Sequence, residues 1–398
     1  MKNFLQFLKD YKQEISFGWG LTFLSSFGQT FLISLYVPEI LKTFELSKGS
    51  FGSIYAICTV ISSVIMLTVG HTVDHKPVKK VTAFTVLGLA SSCFVLGFSH
   101  HHIALLFIAF TGMRLCGQGL LSHISFTVMS KYFSADRGKA LSISSLGYSV
   151  GEALFPLAIS TLILWYDYEL AAMASGFFLL FYLIRLKFVK LKHFDANLDI
   201  NKKASAGLLL GQFKEVISDK RFFIMMPASF STGFISTAIF FYQYVFVEEK
   251  GWSLTLYASF FTAYAITRFV LSIAGGFWVD KYTAKRLFRI YLIPMCFGLL
   301  ALAFIDSIVG ALIFLILSGI TVGVAGTVKT AVIAEIYGTK QMGTIRSLFT
   351  MFMVLSTALG PLIVGWMLDK DIPFSWVIFS LFLLMAIAQL NAQRIRKY

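Results

Sequence analysis

GHTVDHKPVKK, residues 70–80, and GGFWVDKYTAKR, residues 275–286, are two short charged runs in an otherwise strongly apolar chain. Each sets an aspartate four residues after a glycine and two cations soon after it. These are Gly70, Asp74, Lys79 and Lys80 in the first run, and Gly276, Asp280, Lys285 and Arg286 in the second. The two aspartates lie 206 residues apart in a chain of 398. Tyr132-Phe133 with Tyr337, Arg137 with Arg346 and Pro156 with Pro361 repeat at nearly the same offset. Chance basic turns would account for the cations but not for a matched glycine and aspartate. The chain therefore reads as one unit present twice.

What that unit is follows from composition. Hydrophobic residues make up 57% of the chain and charged residues 14%, where a soluble protein has roughly a quarter charged. The apolar residues fall into blocks of about 20, the length of a helix that crosses a hydrocarbon core of ~30 Å. Alternating ten-residue strands are absent, and lipid tolerates only helices or closed barrels. The expected fold is an all-α polytopic membrane protein. Its twelve spans are placed near 17–39, 50–72, 81–99, 103–130, 139–164, 169–189, 222–246, 254–279, 287–305, 308–336, 345–368 and 373–391. The first apolar block has no small-residue cleavage pattern and reads as a retained helix.

The net charge of +14 would suit a nucleic-acid binder, but its distribution argues otherwise. With connections assigned to alternate sides, 27 Lys/Arg lie on the side of the amino terminus, 4 on the other and 3 within spans. That imbalance is the positive-inside pattern, so both termini are expected in the cytoplasm and no nucleic-acid partner is expected. The expected location is the cell membrane, such as a bacterial inner membrane. The polar stretch around Arg185–Arg221 divides the chain into a six-helix bundle at 1–189, a cytoplasmic linker at 190–221 and a second bundle at 222–398. Within the linker, GLLLGQFKEVISD reads as a short amphipathic surface helix. The four cysteines, Cys58, Cys93, Cys116 and Cys296, are scattered within spans and read as small buried hydrophobes. No Gly-rich Lys-Ser/Thr phosphate loop is present, no soluble segment is long enough for an enzyme domain, and no cofactor is expected. His100-His101-His102 are consecutive and cannot readily converge on one ion, so no metal site is expected.

The paired runs, the twelve spans and the central loop together resemble the major facilitator superfamily, over essentially the whole chain. Its signature, G-x-x-x-D-[RK]-x-G-x-[RK]-[RK], is departed from here by His75 and Pro77 in the first copy and by Thr283 in the second. FTGMRLCGQG, with Arg114 and Gly119, resembles the arginine motif of that family's fourth helix, and YFSADRGKALS its following loop. The pattern is nearest, loosely, to a monocarboxylate and oxalate branch. The resemblance implies two pseudo-symmetric six-helix bundles, a monomer, and secondary transport by alternating access. It also implies that Gly70 with Asp74 and Arg137, and Gly276 with Asp280 and Arg346, form gating latches at the cytoplasmic face. The plainer alternative is a set of anchoring charges.

Ionisable groups deep in a bilayer cost several kcal/mol unless they face water or a partner, and the chain keeps few. Arg114 in the fourth span and Glu152 in the fifth both lie roughly 17 Å from the outer surface. They read either as a proton-coupling pair or as a permanent ion pair. Arg268 lies 12 residues before Asp280, roughly 18 Å along its helix, with Ser62 at the matching place in the first copy. A feature present in one repeat only suits substrate chemistry, and a guanidinium presents a fork matched to carboxylate or phosphate. Lys329 and His123 hold matching positions in the tenth and fourth spans. Lys329 reads as a substrate ligand or a snorkelling cation, and His123 as a proton shuttle or a packed hydrogen-bonding group. Gln29 in the first span and Ser229, Ser231 and Thr232 in the seventh fall on helices that line the cavity in the family. Tyr36, Tyr242 and Tyr264 read as cavity walls or packing. Counting deep charges gives Arg114, Arg268 and Lys329 against Glu152. A small organic anion, a carboxylate first among them, is therefore the expected cargo, carried with protons or in exchange. The alternatives are export of amphiphilic compounds, for which the fifth span lacks a Gly-Pro-rich motif, and a nontransporting sensor.

Overall fold

With no water to satisfy peptide groups in hydrocarbon, each apolar block must close its own hydrogen bonds, and every long block is helical. The computed structural model describes residues 2–397 except 71, 134–136, 198–213, 215 and 338–341. Among the described residues eleven helices are long and apolar enough to cross a membrane, and a bent pair supplies a twelfth span. Large hydrophobics face outward along them, with Phe84 65%, Phe181 69% and Leu390 70% exposed, as lipid contact requires and water would not tolerate.

The chain divides into two compact units. The first holds residues Met1–Leu46 and Ile57–Lys202, the second Ser47–Ala56 and Lys203–Tyr398. The assignment of 47–56 to the second unit means that the units do not follow sequence order.

In the first unit α1 (Lys2–Asp10) leads to α2 (Lys12–Leu24), α3 (Thr30–Ile33) and α4 (Val37–Thr43). Helix α5 (Lys48–Val69) begins in the second unit and ends in the first. There follow α6 (Thr72–His75), α7 (Val78–Gly97), α8 (Ile103–Gly112), a π-helical stretch Met113–Leu121, α9 (Ser122–Tyr132), α10 (Arg137–Trp165) and α11 (Tyr168–Phe188). The second unit holds α12 (Lys220–Glu249), α13 (Leu254–Tyr282), α14 (Ala284–Phe288), α15 (Ile293–Phe304), α16 (Ile308–Tyr337), α17 (Met342–Asp369) and α18 (Phe374–Ala392).

The duplication is visible in the packing inside each unit. In the first, α2 packs on α10, α7 on α11 and α7 on α8. In the second the corresponding spans pair the same way: α12 on α17, α15 on α18 and α15 on α16. Small residues permit the closest approaches. A Cβ on Gly147 would lie 2.3 Å from the Trp19 carbonyl oxygen, and one on Gly151 2.1 Å from Ser26 Oγ, so α10 sits directly on the first span.

The start of α12 is tied down by its own charges. The Asp219 carboxylate accepts hydrogen bonds from the Arg221 backbone N–H at 2.8 Å and from Arg221 Nε at 2.7 Å. Arg221 Nη1 then donates to the Ile336 carbonyl at 3.0 Å, and its guanidinium lies 4.8 Å from the centre of the Tyr337 ring. Partial burial would raise the Asp219 pKa, but the hydrogen bonds and charge of Arg221 outweigh it and hold the carboxyl below its ordinary value. A depressed folded pKa contributes stability above the unfolded value near 4 that disappears as pH falls through the folded one. Asp219→Asn should therefore melt below wild type at pH 6–7, with the gap closing toward pH 3. Melting curves at both pH values check this, and a gap independent of pH would show that the charge contributes nothing.

Candidate functional site

Deep in the first unit the first span is broken. Hydroxyls of Thr22, Ser25 and Ser34 donate to carbonyls three residues back, at 2.9, 2.7 and 2.9 Å, and so compete with helical bonding. Gly28 then ends the upstream half, and Gln29 takes an extended conformation at φ −84°, ψ 149° before Thr30 restarts the helix. The halves Lys12–Gly28 and Thr30–Thr43 meet at a bend of 42°. The expected single first helix is thus two, because small polar residues and a glycine in SSFGQT weaken the ladder at one place.

The break has a matched partner. A Cβ on Gly28 would fall 2.1 Å from the Met113 carbonyl oxygen, 2.6 Å from the Gln118 nitrogen and 2.7 Å from the Gly117 Cα. The backbone it meets is the π-helical turn Met113–Leu121, whose extra residue displaces the ladder where the two chains touch. Arg114 rides on that turn, is only 3% exposed, and donates from Nη1 to Thr30 Oγ1 at 3.3 Å. Glu152, 5% exposed, follows the Gly151 that faces Ser26. Arg114 thus reaches Thr30, the neighbour of Gln29, and Glu152 follows a glycine set against Ser26. The sequence reading missed Ser26 and Thr30; the run of small polar residues at 25–30 was the available signal.

The second unit builds a different set. Arg268 lies one turn beyond Tyr264 on α13. Gly319 and Gly323 of α16 press against this stretch, with a Cβ on Gly323 placed 2.8 Å from the Arg268 carbonyl oxygen and one on Gly319 2.9 Å from that of Tyr264. Aromatic rings wall the same level: Phe240 and Tyr264 lie 5.4 Å apart, edge to face. Tyr257 donates its hydroxyl to Gln243 Oε1 at 3.2 Å, a buried polar pair that the sequence reading also missed. Lys329 lies six residues beyond Gly323, about 9 Å further along α16.

Other candidates are engaged in packing. The hydroxyls of Ser231 and Thr232 both donate to the Ala228 carbonyl of their own helix, at 3.4 and 2.6 Å. Tyr36, Tyr242 and Tyr264 are 1%, 0% and 2% exposed. His123 Nε2 lies 3.2 Å from the Gly70 carbonyl oxygen, which ties α9 to the end of α5. The side chains of Asp74, Arg137, Asp280 and Arg346, and the surroundings of Gly276, lie outside the described residues, as does most of the GLLLGQFKEVISD segment. All four cysteines are free thiols. His102 Nδ1 accepts the Ala104 N–H at the start of α8, and no group of three or more metal-binding side chains occurs among the described residues.

A second polar cluster, unforeseen from the sequence, lies inside the second unit. Asp369, at the end of α17, accepts from Ser47 Oγ at 2.6 Å and from the Gly49 N–H at 2.9 Å, capping the start of α5. Tyr242 donates its hydroxyl within reach of the Lys48 and Pro361 carbonyls, at 2.6 and 3.0 Å. Lys48 pairs with Glu249.

Two units with the same internal helix pairing match the Major Facilitator Superfamily profile over residues 18–261 and 246–392. The chain belongs to the Major Facilitator Superfamily. Solved superfamily structures agree across the whole chain. A bacterial homologue of the human lysosomal transporter Spinster, in an inward-facing and unoccupied conformation, superposes with a TM-score of 0.76 at 14% identity. The match covers 97% of this chain and 98% of that one. The nucleoside transporter NupG gives 0.71 at 14% identity over 97% and 98% of the two chains. At these identities the likeness is one of fold. By sequence the chain is 25% identical over 126 residues to a multidrug resistance protein B homologue of Mycobacterium tuberculosis, strain CDC 1551 / Oshkosh, covering 32% of this chain and 23% of that protein. The homologue from strain H37Rv matches identically. The chain thus spans about a quarter of the length of these curated relatives. None of these relatives is a monocarboxylate or oxalate carrier, so that branch of the superfamily gains no support. Membership of the superfamily sets the chain among membrane transport proteins rather than enzymes.

Proposed function

We propose that this superfamily member is a secondary transporter of a small organic anion, a carboxylate first among them. The observation that carries the reading is Arg268, midway along α13, where Gly319 and Gly323 press on its backbone and one turn from Tyr264, which packs on Phe240. A guanidinium placed so deep is costly unless an anion or a dipole answers it. Arg114 adds a buried cation beside the broken first span, and Lys329 a further, partly exposed one, against the carboxylate of Glu152, the one the sequence sets deep in a span. The same count suits a cargo that brings negative charge with it. Protons are the coupling partner in this reading, carried by Glu152, with exchange of one anion for another as the alternative. Both termini face the cytoplasm, on the strength of the distribution of Lys and Arg.

Purified protein in liposomes loaded with an unlabelled carboxylate should take up the labelled compound by counterflow. Arg268→Ala should reduce that uptake by about 100-fold, the factor that about 2.7 kcal/mol of lost charge-assisted binding gives, while leaving the melting temperature close to wild type. Counterflow that survives Arg268→Ala unchanged removes the anion assignment. The short match to a multidrug resistance homologue favours one competing reading, the export of amphiphilic compounds. Neutral or cationic amphiphiles that exchange where carboxylates do not would establish it instead.

A further inference from the structure

The first unit carries a groove that the transport reading does not use. It lies between the start of α7 and the end of α11, encloses about 290 Å³, and is walled by Phe84, Leu87 and Leu183 among others. That volume sits at the lower end of the roughly 300–1,000 Å³ typical of small-molecule sites. Its mouth is ringed by Lys79, Lys80 and Lys187, and no acidic side chain lines it among the described residues.

The mouth is built by hydrogen bonds. Lys79 Nζ donates to the carbonyls of Lys187 and Val189 at 2.8 and 3.1 Å, which closes the last turn of α11 against the first turn of α7. The Val78 N–H donates to Asp195 Oδ1 at 2.9 Å, fixing the entry to α7. With Lys79 so engaged, Lys80 and Lys187 present exposed ammonium groups at the rim. Below them the wall is apolar and faces outward: Phe84 is 65% exposed and Leu87 46%.

We propose that this groove binds an anionic phospholipid, with the phosphate on Lys80 and Lys187 and an acyl chain along Ala83, Phe84 and Leu87. Charge and shape both select that occupant. The rim lies at the ends of two candidate spans, Val78–Gly97 and Tyr168–Phe188, on the side to which the distribution of Lys and Arg assigns the basic loops, where anionic headgroups meet clustered lysines. A free phosphate would use the rim but not the apolar wall, and a zwitterionic lipid would use the wall but gain little from the rim.

The test is retention of phosphatidylglycerol against phosphatidylcholine by the purified full chain in neutral detergent, read by native mass spectrometry. Wild type should retain phosphatidylglycerol selectively. Lys80→Ala with Lys187→Ala should weaken it about 25-fold, at about fivefold for each lysine near the surface, without changing phosphatidylcholine. Ala83→Trp, which fills the groove and leaves the lysines, should lose phosphatidylglycerol as well. Lys80→Gln with Lys187→Gln provides a second pair of variants, and melting temperatures matching wild type confirm folding. Phosphatidylglycerol retained within twofold by the lysine variants overturns the proposal. Retention by Ala83→Trp with displacement by inorganic phosphate also overturns it, leaving only an ion site.

Discussion

Gly28→Val should abolish transport and most of the folded protein with it. The three nearest atoms that a Cβ at this position would meet all belong to backbone: the Met113 carbonyl oxygen at 2.1 Å, the Gln118 nitrogen at 2.6 Å and the Gly117 Cα at 2.7 Å. A side chain could rotate away, but these atoms move only if the π-helical turn moves, and that turn carries Arg114. Overpacking ordinarily costs about 1–3 kcal/mol and more where nothing can yield. Here the loss should exceed about 4 kcal/mol, the range reserved for strained cores. Gly20→Ala, where the nearest neighbour is the Tyr182 hydroxyl at 3.5 Å, is the matched control and should be tolerated. Folded yield by size-exclusion chromatography and melting temperature read the contrast, and equal behaviour of the two variants would show that the contact at Gly28 is not a constraint.

The second large effect concerns coupling. Glu152 is the only carboxylate found deep in a span by sequence, and it is 5% exposed beside the broken first span. A carboxylate so placed is stable charged only with compensation. Glu152→Gln mimics the protonated form in shape and hydrogen bonding but cannot give the proton up. If protons drive transport through this residue, uptake driven by a pH gradient should fall at least about 100-fold, equivalent to about 2.7 kcal/mol. Counterflow, which needs no net proton movement, should persist. Gradient-driven uptake at wild-type rate would make Glu152 a structural group.

The architecture was legible in the sequence because lipid imposes a simple code. Long apolar blocks must be helices, and the duplicated runs at 70–80 and 275–286 mark the doubled bundle. What was not legible is where those helices stop being regular. Gln29 leaves the helix because the hydroxyls of Thr22 and Ser25, and a glycine, act together with a facing π turn; hydropathy averages over all of these. Arg114 and Glu152 stood out as charges in apolar surroundings, whereas Thr30 did not, since a threonine in a span is unremarkable until a guanidinium is found beside it. The Asp369 cap on Gly49 joins residues 320 apart in sequence, and nothing local to either announces the other.

The assignment of residues 47–56 to the second unit bears on how the protein can be cut. A nick in the central linker would look like a clean way to make two independent fragments. The carboxyl-terminal piece, however, would be missing the ten residues that Asp369 and Tyr242 hold, and the amino-terminal piece would carry them with nothing to receive them. Neither fragment inherits a complete set of neighbours, so the halves are interdependent as products of folding even though each repeats the helix pairing of the other.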